Sequence, residues 1–208
     1  MFSAVLLIPL VILALRWANW SRMREQRLIN VFLFSVLVVL LFWSLRIPVM
    51  EGVSWHVSGI TFLTLMWGWS FALLGGSLAV LVQTLALQEP LINVPSMILL
   101  HVVLPTTLTQ VVLGLTRAYL PKHFFIYTFV NAFFCGALVA LAVAVGGALN
   151  LFLSDMASWK MLSEQYLIYV PLMLFPEAFY NGIVMTVLIS LRPQWVWSFK
   201  DEEYLQGR

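Results

Sequence analysis

Apolar positions run on along this chain without the alternation of a half-buried strand. Uncharged stretches cover residues 1–15, 28–45, 52–88, 90–116, 123–154 and 165–191, the last interrupted only by Glu177. A hydrocarbon core of about 30 Å takes about 20 apolar residues at 1.5 Å rise per residue, so each stretch is read as holding at least one helical span. Leu and Ala stand beside Val throughout these runs, and the period-2 alternation of a membrane barrel is missing. The pattern predicts an all-α polytopic membrane protein.

Residues 52–88 decide the number of spans. As one helix these 37 residues would measure about 55 Å, far more than the apolar core. A break at Gly68, between Trp67 and Trp69, leaves a short third helix near residues 56–67 and gives about seven transmembrane helices. With the N-terminus outside, Arg16, Arg22, Arg24, Arg27, Arg117, Lys122, Arg192, Lys200 and Arg208 fall on the cytoplasmic side, and Arg46 and Lys160 fall outside. One span over 52–88 would move Arg117, Lys122 and the Arg192 end outside, against the positive-inside rule. The expected organisation is a single transmembrane domain over 1–198 and a short polar cytoplasmic tail over 199–208. The first segment carries its arginines after the apolar run, which argues for a retained anchor over a cleaved signal.

Composition narrows the function. Hydrophobic residues make up 62% and charged residues 10%, against about 25% charged in a soluble domain, so water is not the solvent of this surface. A formal charge of +2 without a basic stretch interleaved with exposed aromatics excludes nucleic acid as a partner. The single Cys135 excludes an internal disulfide and a multi-cysteine metal cluster. There is no Walker loop, H-E-x-x-H helix or G-x-S-x-G elbow, so neither a nucleotide-driven motor nor a hydrolase site is expected, and any ATP hydrolysis would belong to other subunits.

Ionisable and polar groups at membrane depth are costly and therefore candidates for function. Glu51-Gly52-Val53-Ser54-Trp55-His56, preceded by Arg46-Ile47-Pro48, suggests an outer loop dipping into a cavity where Ser54 and the His56 imidazole meet a ligand; an interfacial anchor is the alternative. Glu177 and Asn181, four apart, share one helical face that should look inward, as a site or as a structural carboxyl between helices. Asn93-Val94-Pro95-Ser96-Met97 reads as a re-entrant segment or an ordinary outer loop. Gln83, His101, Gln110 and Asn131 are expected to be structural, hydrogen-bonded between helices. Ser54, Glu51, Asn93 and Glu177 are the candidate substrate-binding residues, His56 the candidate metal ligand, and Gln83, His101 and Asn181 the structural polar groups.

The order of these features resembles a known family, the CbiM/NikM-type integral-membrane substrate-specific component of energy-coupling-factor transporters for cobalt and nickel. There, a P-x-G-x-S-x-H-type outer loop leads into a short helix and then a Gln-bearing helix; an A-N-x-x-N-M segment follows, and the last helix opens with G-E and ends with R-P. The counterparts here are Pro48, Gly52, Ser54, His56 and Gly59, then Gln83, then Asn93 and Met97, then Glu177, Asn181-Gly182 and Arg192-Pro193, spanning roughly residues 46–195. The resemblance implies a multi-pass permease of a cell membrane, in bacteria the inner one. Such a protein captures a divalent transition metal from outside and works with a transmembrane coupling subunit and cytoplasmic ATPases. It implies no permanently bound cofactor: the metal, nickel or cobalt, is cargo. In the family, nitrogen holds the metal: the N-terminal amine, the amide and imidazole of a histidine directly after the initiator Met, and the loop histidine matched by His56, a set that suits a square-planar ion. Phe2 occupies the second position here, and Ser96 stands where the family has its second Asn. A non-transporting membrane scaffold that kept the fold is the alternative. An intramembrane enzyme using Glu177 with a histidine ranks last.

Overall fold

The computed structural model describes residues 2–25, 28–50, 53–200 and 204. The apolar stretches form helices α1 (Phe2–Trp17), α3 (Ile29–Ser44), α4 (Ile60–Trp67), α5 (Trp69–Ala86), α6 (Leu91–Tyr119), α7 (Phe124–Leu153) and α8 (Trp159–Leu191), with a six-residue connector, α2 (Trp20–Glu25), after α1. Four of them, α5 to α8, are long and apolar enough to cross a membrane, and α1 and α3 are shorter apolar helices of 16 residues. Large side chains such as Phe34, Leu41, Phe129, Leu172 and Ile183 remain outward and exposed, as expected where lipid replaces water.

The expected break falls at Gly68, whose φ of 81° lies in the region that favours glycine. It separates α4 from α5. Gly59, φ 65°, opens α4 in the same way. All eight residues of α4 are buried. At 1.5 Å per residue the helix is about 12 Å long, less than half the apolar core.

Different parts of the chain occupy the two ends that α4 leaves open. Beyond its N-terminus the segment expected as an irregular loop forms an antiparallel hairpin, β1 (Ile47–Met50) and β2 (Val53–Trp55), pairing Ile47 with Trp55 and Met50 with Val53 around an irregularity between Pro48 and Met50. This is a local departure from an otherwise helical chain. Pro48 has no N–H to give a ladder, and a two-stranded ribbon with free edges tolerates it. Beyond the C-terminus of α4 lies the segment after α8. Trp197 N–H donates to Met66 O at 2.9 Å and Ser198 N–H to Leu65 O at 3.2 Å, so the last carbonyls of α4 find partners. Phe199 and Tyr204, which fall within the stretch read from sequence as a polar tail, are buried and ring-stacked.

Two apolar clusters hold the molecule together. The larger joins α3, α4, α5, α6, α7 and α8 through residues such as Phe32, Trp43, Ile60, Leu63, Trp67, Phe71, Val102 and Met185. The smaller seats the hairpin: Trp55 packs with Ala144, Ala148, Leu162, Tyr166 and Val170.

Candidate functional site

The site is built on the start of α4, a buried helix end whose first N–H groups need partners. Glu177 of α8, 2% exposed, accepts from Ser58 N–H at 2.6 Å through Oε2 and from Gly59 N–H at 3.0 Å through Oε1. One turn on, Asn181 Nδ2 donates to Glu177 Oε1 at 2.9 Å, while its Oδ1 accepts from Phe62 N–H at 2.8 Å. A carboxylate facing the positive end of a helix is favourable, and here it also fixes where the preceding loop turns. Gly136 lets the chains come this close: a Cβ there would sit 2.9 Å from Asn181 Nδ2 and 3.0 Å from Glu177 O.

Trp43 fastens the other side of the loop. Its indole N–H donates to Ser58 O at 2.8 Å, and its own carbonyl accepts from Gln83 Nε2 at 2.8 Å. His56, between the hairpin and α4, is thereby held against Trp43, ring centres 5.0 Å apart. On its far side stands His101 of α6, at 5.6 Å between ring centres. His101 lies in a π-helical stretch, Leu99–Val103, a local widening that alters which side chains face inward.

A cavity of about 580 Å³ opens above the two imidazoles, beneath the hairpin. Trp43, Trp55 and Tyr166 supply aromatic wall; Arg46 and Glu89, paired at 3.2 Å, supply charge. Burial is the main cause that pushes the His56 pKa down to about 3, with the neighbouring His101 and Arg46 adding to it. The ring is therefore neutral at pH 7, the form that ligates metals. His56 Nδ1 lies 3.5 Å from Val57 O, which leaves Nε2 for the cavity if Nδ1 carries the proton.

Of the residues singled out from sequence, Ser54, His56, Asn93, Glu177, Gln83 and His101 all line this cavity. Glu177 and Gln83 do so while bonded to backbone, and Asn181 sits behind Glu177. Glu51 lies outside the described residues. His101, expected as an interhelical hydrogen-bonding group, lies beside His56 on the cavity wall. Arg46, Glu89 and Tyr166 were not singled out as site residues; charge at an interface and a ring in an apolar run carry no signal of their own. Among the described residues no group of three or more His, Cys, Asp or Glu side chains converges as a metal site. The cavity offers two imidazoles, one ion pair and aromatic wall.

Comparison with known proteins places this arrangement. A solved structure titled as a transition metal transporter superposes with a TM-score of 0.76 at 14% identity, covering 91% of this chain and 87% of that one. A truncated transition metal transporter gives 0.64 at 16% identity, with 93% and 91% covered. At such identities the likeness speaks for the fold. No curated protein matches. Residues 1–195 match the family described as the cobalt uptake substrate-specific transmembrane region. With nearly the whole chain matched and the helices in the expected order, this multi-pass membrane protein belongs to the CbiM family, the substrate-capture component of metal uptake.

Proposed function

We propose that the protein captures a divalent transition metal in the cavity beneath the hairpin, with His56 as the loop ligand, and hands it to a transmembrane coupling subunit driven by cytoplasmic ATPases. The N-terminus is outside and the C-terminus cytoplasmic, so the hairpin faces the metal source. The observation that carries this reading is the pair of imidazoles, His56 and His101, held 5.6 Å apart on one cavity wall. Imidazole nitrogen suits nickel and cobalt. Ser54 and Asn93 contribute polar atoms at the rim; Glu177 acts by fixing the loop.

The test is metal binding to the purified chain in detergent, followed by equilibrium dialysis with labelled nickel and cobalt, and uptake in cells that also make a coupling subunit and ATPases. His56→Ala should weaken binding 10- to 100-fold, the usual cost of losing a metal-site group. Wild-type protein that retains neither metal, or uptake indifferent to His56→Ala, would overturn the proposal and favour a scaffold that keeps the fold without transporting.

A further inference from the structure

The cavity is larger than an ion alone needs, and among the described residues it is poor in charged and imidazole ligands. Its volume is about 580 Å³. A divalent ion with six waters, each about 30 Å³ in the liquid, fills about 180 Å³. Pockets for small organic ligands run about 300–1,000 Å³. Nickel and cobalt take four to six donors, and of the described histidine, cysteine and carboxylate side chains only the imidazoles of His56 and His101 come together here.

The described carboxylates on the wall are already committed. Glu177 accepts two backbone N–H groups and the Asn181 amide, and Glu89 is paired with Arg46. A bare dication would therefore enter without an anionic ligand and beside a guanidinium. Arg46 also keeps a donor in reserve: Glu89 Oε1 engages Nη1 at 3.2 Å, whereas the buried Nε–H has no partner. A buried unpaired donor is costly, and the guanidinium edge matches a carboxylate.

We infer that the cargo is a small carboxylate chelate of the divalent metal, with the metal on His56 and His101 and a chelator carboxylate on Arg46. The inference rests on the metal-capture reading and names its substrate class. The histidine geometry accommodates it. With metal–nitrogen bonds of about 2.1 Å, two imidazoles on one ion have ring centres from about 4.5 Å apart at a right angle to about 6.4 Å in line, and 5.6 Å lies between. The remaining coordination positions face the open cavity, where the chelator supplies oxygen or nitrogen. Trp43, Trp55 and Tyr166 flank its carbon skeleton.

Labelled nickel with and without added chelator separates the two kinds of cargo. If the bare ion is bound, citrate or free histidine competes for it and lowers occupancy of the protein. If the chelate is bound, one of them raises occupancy. Equilibrium dialysis of the full chain in detergent, in a non-coordinating buffer, should show at least a tenfold gain in apparent affinity with citrate or with histidine. Labelled chelator should be retained one per metal. Arg46→Gln should erase that gain while bare-nickel binding holds or rises, since the guanidinium's repulsion goes and Glu89 loses its ion-pair partner, and His101→Ala should weaken bare and chelated metal together. Competition by both chelators, with bare nickel bound tightly, overturns the inference and leaves metal capture standing. An equal loss of bare and chelated metal in Arg46→Gln overturns it as well. No nickel retained under any condition removes both. The wild-type comparison needs no variant to fold.

Discussion

Glu177 stands one turn from Asn181 in a helix that otherwise offers lipid-facing carbon, and its value lies in what the two oxygens receive. They take the N–H groups of Ser58 and Gly59 together with the Asn181 amide. Replacing it by Gln keeps the shape and turns one acceptor into a donor pointed at a donor. Glu177→Gln should cost about 2–4 kcal/mol, since a buried N–H is stranded and a charge-assisted bond is lost; denaturant unfolding in detergent measures it. Unchanged stability with lost metal binding would instead make Glu177 a ligand, the role its position suggested from sequence. Sequence places Glu177 and Asn181 on one inward face, because four residues in a helix return to the same side. It carries no sign of their partners, which are backbone groups 118 and 119 residues away. His101 was hidden in the same way: a lone imidazole in an apolar run looks alike whether it bonds a neighbouring helix or faces a second histidine.

At the level of elements, the cavity exists because α4 is short. A buried helix of eight residues leaves part of the bundle's length empty at each end; the segment after α8 fills one end and the hairpin roofs the other. The break at Gly68 was legible because 37 uncharged residues exceed what a bilayer can hold. The hairpin was less so, since Pro48 and the polar run announce an interruption without saying what shape it takes. The π-helical turn at Leu99–Val103 left no periodic signature, and it carries His101 into the cavity. Its register depends on α5: a Cβ at Gly76 would lie 2.6 Å from Val102 Cγ1. Gly76→Ala should therefore displace Val102 and, with it, the adjoining His101. Nickel affinity should fall about tenfold, on the scale of a disturbed metal-site group. Stability should fall by about 1–3 kcal/mol from overpacking. Gly114, which has nothing within 4 Å of a Cβ, is the control: Gly114→Ala should leave both within error.

Across the whole molecule, basic residues sort unequally between the two ends of α4. Arg117 donates to Ser198 O and Arg22 to Gln194 O and Trp195 O, so these basic residues gather where the chain closes the C-terminal end of α4. Arg46 lies at the other end, on the cavity, and Lys160 stands in the first turns of α8, near the hairpin's seat. Positive residues are generally retained on the cytoplasmic side, and on that rule the proposed orientation has the cavity, and its metal source, outside. Single cysteines test this directly, because the native Cys135 is 1% exposed and should give little background. Met156, 71% exposed and on the cavity rim, and Tyr119, 81% exposed at the far end of α6, are suitable positions. In intact cells a membrane-impermeant maleimide should label Met156→Cys nearly completely and leave Tyr119→Cys at background until the membrane is opened. The reverse pattern would turn the cavity toward the cytoplasm. A site collecting metal from outside could not lie there, so the capture proposal would fall with the orientation.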